Sequence, residues 1–217
     1  MKALLVSGGD APPRQRLESR MGEFELICAA DSGLDVLRSW GIAPDIIVGD
    51  MDSISDPRVL DEYSSSLVYR ADRDKDETDT ELGLGLLQAR GATEIVLAGG
   101  GGGRLDHLLA IRSLLSRALR PQEWHTRHEV AYVLESGREL AFACPIGETV
   151  SVFPLGPQAS AMGSRGLRWA LDGLSWGLGD FGVSNRTVET EVRIRAGIGD
   201  LLVVRLLEPE RTEARRQ

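Results

Sequence analysis

Long apolar runs are missing from the 217 residues, and with them the usual signature of a membrane span. The opening run Met1-Lys2-Ala3-Leu4-Leu5-Val6 breaks at Ser7-Gly8-Gly9-Asp10, too soon for a signal peptide. Cysteine is scarce. Cys28 and Cys144 each lie in an apolar, strand-like run and read as buried thiols rather than a bridge. Positive charge is also short: 25 Lys and Arg face 33 Asp and Glu, a net charge of −8. The basic residues are scattered, which excludes a general nucleic-acid binder. Only Arg211, Arg215 and Arg216 gather, in a tail expected to be solvated. There is no internal repeat and no low-complexity linker. A soluble, cytoplasmic protein of one large or two small domains is expected.

What the chain has in quantity is glycine and aspartate at the ends of apolar runs. The run Ile46-Ile47-Val48 leads into Gly49-Asp50-Met51-Asp52-Ser53 and reads as a buried parallel strand spilling into a loop. If the segment stays extended, Asp50 and Asp52 project to one side. Paired carboxylates at a strand end repel unless a cation sits between them, and Mg²⁺ is bound in this way together with substrate phosphates. Capping or turn roles are the alternative for an isolated Asp-x-Asp; similar segments at other strand ends favour a metal–nucleotide site.

Residues 1 to about 120 repeat one theme of apolar run, Gly/Asp-rich turn and amphipathic segment. Phe24 to Ala30 ends at Asp31-Ser32-Gly33, where Ser32 suits an N-cap with Asp35 three residues on. Leu34, Leu37 and Trp40 give that helix an apolar face and Gly41 ends it. Two readings stand even for Asp31: a helix-dipole partner, or a substrate contact at a strand end. Residues 14–20 suit a short helix. The stretch Arg70 to Glu81 crowds Asp74, Asp76, Glu77, Asp79 and Glu81 around Lys75 and Thr78. A capping box explains Thr78 and Glu81 but neither Asp76 nor Asp79, so Asp79 is a candidate metal ligand. After the strand Glu94–Ala98 come five glycines, Gly99 to Gly103, then Arg104-Leu105-Asp106-His107. No Walker loop is present, because no Gly-Lys-Ser/Thr follows. Arg104 tips the run towards phosphate binding at the helix start rather than slack. Leu108, Leu109, Ile111, Leu114, Leu115 and Leu119 are the expected apolar face of the helix. Asp106 and His107 suit cap and first-turn positions.

From Val130 the rhythm becomes short strands at turn-rich spacing: 130–134, 139–144, 149–155, 166–171, 188–195 and 201–206. The polar island Gly182-Val183-Ser184-Asn185-Arg186 reads first as a turn between strands. The expected architecture is an α/β N-terminal domain with a mostly parallel sheet, residues 1–124. An all-β, sandwich-like domain follows, residues 125–217.

In this order the segments resemble the thiamine pyrophosphokinase (thiamin diphosphokinase) family nearly end to end. The matching stretches are Ala30-Asp31-Ser32-Gly33, Pro44-Asp45 through Ser53, Lys75-Asp76-Glu77-Thr78-Asp79, and Gly102-Gly103-Arg104-Leu105-Asp106-His107. Gly166-Leu167-Arg168-Trp169 with the later Ser184-Asn185 completes them. The resemblance implies transfer of pyrophosphate from ATP to thiamine, giving thiamine diphosphate and AMP. It also implies a homodimer, with the active site between the α/β domain of one subunit and the β domain of the other. By the same resemblance Asp50, Asp52 and Asp79 are catalytic and hold Mg²⁺, with Asp76 a further ligand. Thr78, Gly102, Gly103, Arg104, Asp106 and His107 line the ATP side, and Ser184, Asn185 and Asp31 face thiamine. Either Asp52 or Asp79 is nominated to take the hydroxyl proton.

The chain departs from the family pattern at Arg186, where an acidic residue is common, and at Ile111, often Asn in bacterial relatives. It also lacks the C-terminal tryptophan that stacks on thiamine in animal enzymes. Two rivals stand beside this reading: a pyrophosphokinase acting on a hydroxymethylpterin, and a non-catalytic sensor of nucleotide or thiamine.

Overall fold

The computed structural model describes residues 1–63, 66–177 and 179–207. Its strands and helices fall into two units, Met1–Arg127 and His128–Gln217. The tail bearing Arg211, Arg215 and Arg216 lies outside the described residues. Among the described residues no helix is long and apolar enough to cross a membrane.

In the first unit the apolar runs become β1 (Lys2–Ser7), β2 (Leu26–Ala30), β3 (Ile46–Gly49), β4 (Leu67–Arg70), β5 (Glu94–Ala98) and β6 (Glu123–His125). They pair in parallel in the order β6-β5-β1-β2-β3-β4. Parallel strands need crossovers, and α1 (Gly33–Trp40), α2 (Asp79–Ala89) and α3 (Leu105–Leu114) lie in these connections. Alternate strand residues serve opposite faces. Leu4, Val6, Ala29 and Ile47 pack with Leu34, Leu37 and Trp40 of α1. Leu5, Cys28, Ile46 and Val48 pack with Leu84 and Leu87 of α2 and Ile111 and Leu114 of α3. Burial in this second layer pushes the Cys28 thiol up to about 12. Gly41 caps α1 with φ +69°, as its sequence position predicts.

Some local expectations change. Ser32 stands at the N-cap of α1 but its side chain makes no cap hydrogen bond. Asp35 instead accepts from Ser55 N at 3.0 Å and Ser55 Oγ at 2.6 Å, tying down the loop after β3. Residues 14–20 form 3₁₀ turns, not one helix. On α3 only part of the apolar face is covered: Ile111 and Leu114 are buried, whereas Leu105 is 68% and Leu109 57% exposed. The three-residue β6, hidden behind Pro121, had no periodicity to reveal it.

The second unit holds β7 (Glu129–Leu134), β8 (Glu139–Ala143), β9 (Thr149–Pro154), β10 (Gln158–Arg165), β11 (Ser175–Gly177), β12 (Gly182–Arg186), β13 (Glu191–Ala196) and β14 (Leu201–Leu206). The orders β12-β9-β14-β7 and β11-β10-β13-β8 are both antiparallel. Val150, Val152 and Val203 of one sheet share a core with Ala159, Ala161, Val192 and Ile194 of the other, the sandwich expected from the spacing. Cys144 is buried and unbridged, like Cys28.

Two assignments need correcting here. Residues 166–171 are not a strand; Leu167 makes only an isolated bridge to Thr187. The strand precedes them as β10, whose small and polar residues give little β signal. It ends at Gly166, where φ is +80° and a Cβ would lie 2.3 Å from the Glu191 carbonyl oxygen. The polar island is likewise strand β12, at the end of its sheet, and its pairing with β9 shifts register between Gly182 and Asn185.

Candidate active site

The strand order of the first unit reverses between β1 and β5. In open α/β sheets such a reversal parts the loops beyond the carboxyl ends and leaves a ligand crevice. Here the two loops are also laced together: Asp10 N donates to Gly101 O at 2.8 Å and Gly100 N to Gly8 O at 2.6 Å. Gly99 N donates to His125 O at 2.9 Å. The first two N–H groups of the glycine run are therefore occupied internally, leaving its later part to face a ligand. Gly102 and Gly103 both have φ +66°, and a Cβ on Gly102 would lie 2.4 Å from Asp10 Oδ2. A cavity of about 550 Å³ opens at this point, with Thr78, Gly102, Gly103, Arg104 and His107 in its wall.

Three carboxylates converge at one side. Asp31 ends β2, Asp50 follows β3 and Asp79 opens α2; one oxygen from each lies within 4.8 Å of the others. Asp31 is held by its backbone, with φ +48° and its N–H on Val48 O at 2.8 Å. Gly49 makes room for it, because a Cβ there would stand 3.1 Å from Asp31 Cβ. Asp79 is positioned by the capping box: Glu81 N donates to Thr78 Oγ1 at 3.2 Å and Thr78 N to Glu81 Oε2 at 2.9 Å. Burial raises the Asp31 carboxyl above its ordinary range. Ser53 and the Ser32 N–H pull it back, while the charges of Asp79 and Asp50 add to the rise.

Asp31 Oδ1 and Asp79 Oδ1 are buried without a hydrogen-bond donor. The Lys75 ammonium pairs with Asp79 Oδ1 at 3.1 Å and offsets part of its charge. Donorless oxygens within a set of three carboxylates fit a hard divalent ion that takes oxygen ligands.

Asp52 is elsewhere. The strand does not stay extended past Gly49: Met51 has φ +66°, and Asp52 N turns back to donate to Asp50 Oδ1 at 3.1 Å. Met51 and Ile54 anchor this loop in the core. Asp50 and Asp52 still meet, but on Arg73, whose Nε stands 3.8 Å from Asp50 Oδ2 and whose Nη2 donates to Asp52. The Arg73 guanidinium holds the exposed Asp52 carboxyl below its ordinary range, with Ser53 adding to the effect. Asp76 is exposed and outside the trio. Asp106 pairs with Arg104 on the surface, which lowers its carboxyl.

Sequence reasoning did not offer Asp31 as a metal ligand and passed over Asp10 and Arg73. It gave Lys75 no role, although Lys75 stands in one of the matching stretches; Asp10, Arg73 and Lys75 are all in the cavity wall. For Asp10 the signal was present: it follows a strand end and a glycine pair, like the aspartates that were chosen.

Ser184 and Asn185 belong to the second unit, on β12. Ser184 has φ +62° and its N–H donates to Ser151 Oγ at 3.2 Å. Asn185 is only 9% exposed, and both ends of its amide are bonded to backbone. Its Nδ2 donates to Trp169 O at 2.7 Å, while its Oδ1 accepts from Trp169 N at 3.2 Å and Arg186 N at 2.8 Å. Trp169 itself stands out to solvent, with the Arg168 guanidinium 5.0 Å from its ring centre.

The family model of the thiamin pyrophosphokinase catalytic domain matches residues 17–125, and that of the thiamin pyrophosphokinase vitamin B1 binding domain matches residues 133–198. The fold and these matches together define a two-domain transferase of the kinase type. The chain belongs to the thiamin pyrophosphokinase family. Thiamin pyrophosphokinase from Geobacillus thermodenitrificans is 27% identical with TM-score 0.77, over 97% of this chain and 99% of that one. The Bacillus subtilis enzyme shares the fold at 23% identity and TM-score 0.79, over 96% and 100% of the two chains. The Candida albicans enzyme does so at 18% and 0.72, over 95% and 90%. No curated protein matches the chain.

Proposed function

We propose that the protein transfers the pyrophosphoryl group of ATP to the hydroxyethyl oxygen of thiamine, giving thiamine diphosphate and AMP. The observation that carries this reading is the carboxylate trio Asp31, Asp50 and Asp79, beside a glycine-walled cavity at the strand-order reversal. Asp31, Asp50 and Asp79 would hold Mg²⁺, with Asp52 tied to Asp50 through its backbone N–H. The ion, when bound, neutralises charge on the triphosphate. Transfer of this kind asks the protein mainly for position and electrostatics. Gly102, Gly103, Arg104 and His107 cradle the phosphates, with Thr78 shaping the wall and Asp106 steadying Arg104. Asp52 or Asp79 takes the hydroxyl proton. On the vitamin side Asn185 acts by holding Trp169, whose exposed ring suits a cationic thiazolium; Ser184 lies beside it.

We further propose a homodimer in which the α/β domain of one subunit meets the β domain of the other. The exposed Leu105, Leu109, Phe181 and Val183 supply apolar surface of the kind such contacts cover. The two domains are assigned as ATP/Mg²⁺ and thiamine domains, and the enzyme to the cytoplasm, in keeping with its two unbridged thiols.

The test is AMP release from ATP, Mg²⁺ and thiamine by purified protein, with a hydroxymethylpterin in parallel. Thiamine-dependent AMP is expected. Binding of either ligand without AMP supports the sensor instead, and pterin-dependent AMP the rival kinase.

A further inference from the structure

We infer that Arg73 is a resident counter-cation of the metal site, which leaves Asp50 and Asp52 for the triphosphate when the divalent ion is loaded; this rests on the metal–nucleotide reading above. Arg73 bridges the acidic loop after β3 and also lines the cavity, so one side chain reaches both the carboxylates and the place proposed for phosphate. Its guanidinium answers Asp50 and Asp52, while the Lys75 ammonium stands 3.1 Å from Asp79 Oδ1, and Asp31 Oδ1 goes without a donor. Arg73 is therefore placed to offset part of the trio's charge without entering it.

The hold is weak. The Arg73 side chain is 74% exposed, and pairs of that kind are easily broken. A divalent ion held by Asp50 would repel the guanidinium 3.8 Å from that carboxylate, and an arriving triphosphate offers a fork-matched acceptor in exchange. Loading of metal and grip on nucleotide are thereby coupled through one residue. Arg73 competes with metal added alone; with ATP present, the competitor becomes a ligand. Asp52, freed in the same step, becomes available to the reacting hydroxyl.

The test compares full-length wild type, Arg73→Gln and Arg73→Lys. Mn²⁺ binding is followed by electron paramagnetic resonance without nucleotide, then KM is measured for ATP and for thiamine. Arg73→Gln should bind Mn²⁺ roughly 2- to 5-fold more tightly, the range of a lost exposed pair. Its KM for ATP should rise about tenfold, as for one lost charge-assisted hydrogen bond, with KM for thiamine unmoved. Arg73→Lys should keep the wild-type Mn²⁺ affinity while losing part of the ATP effect. Unchanged or weaker Mn²⁺ binding in Arg73→Gln overturns the inference, as does an unmoved KM for ATP. If wild type and both variants all fail to bind Mn²⁺, the metal reading itself falls and takes the inference with it.

Discussion

The acidic end of the parallel sheet and the Trp169 corner of the β-sandwich both carry side chains that drew attention as polar residues in loops, and they have opposite hydrogen-bond fates. At the sheet end, Asp31 keeps a buried oxygen without a donor, and the buried Asp79 oxygen has no hydrogen bond, only the Lys75 ammonium 3.1 Å away. At the corner, Asn185 is bonded at both ends of its amide to three backbone groups. An unmet group near like charges is a standing cost that a ligand removes, whereas a fully met group is part of the scaffold. The contrast separates residues that act on a ligand from residues that hold those that do.

The strongest way to break this contrast is to remove charge from the trio. Asp79→Asn and Asp50→Asn should each lower thiamine-dependent AMP release by roughly 10³-fold, the scale of a lost electrostatic anchor. The melting temperature of Asp50→Asn should stay level or rise, because a repulsion is relieved. That of Asp79→Asn should stay level, the relief being offset by loss of the Lys75 pair. A fall in stability matching the fall in rate would make the trio structural. Asp52→Asn should also abolish turnover with the fold intact, and unchanged AMP release would remove Asp52 from the reaction.

A third polar group sharpens the rule for satisfied charges. Glu123 is partly buried, which alone would raise its carboxyl, but His125 and Arg20 overcome this and hold it at about 2. A depressed carboxyl pKa adds stability that is full above about pH 4.5 and is lost as pH falls towards about 2. The loss should be on the order of 3 kcal/mol. Urea titrations across that window should show the slope in wild type and a flatter curve in Glu123→Gln; equal slopes would refute the assignment.

The smallest effect is at the corner. Asn185→Ala should cost about 1–3 kcal/mol in the denaturant midpoint, since it strands the Trp169 N–H and carbonyl. KM for thiamine should rise more than KM for ATP, and an equal rise would detach Asn185 from the vitamin side.

Much of the first unit was legible because its signals are local. The Thr78–Glu81 capping box, Gly41 and the apolar stripe of α1 each follow from residues within one turn of each other. Asp31 beside Asp50 was not legible in that way. It depends on the pairing of β2 with β3 and on Gly49 leaving room across it, contacts between segments eighteen or so positions apart. Met51 in a left-handed conformation was equally hidden, and it redirected Asp52 from the expected shared face to Arg73. In the second unit the β-rich rhythm was readable, but β10 has small residues and β12 looks like a turn. Tertiary pairing decided both.

Gly33 shows what fixes Asp31 in space. A methyl group there would lie 2.0 Å from the carbonyl oxygen of Val6, so α1 presses its first turn directly against β1. Asp31 sits two residues upstream and shares that anchorage. Even Gly33→Ala would lever the helix off the strand and drag the acid with it. The acidic end of the sheet thus owes its accuracy to a place where the chain carries no side chain at all, and directed variation should find that position closed.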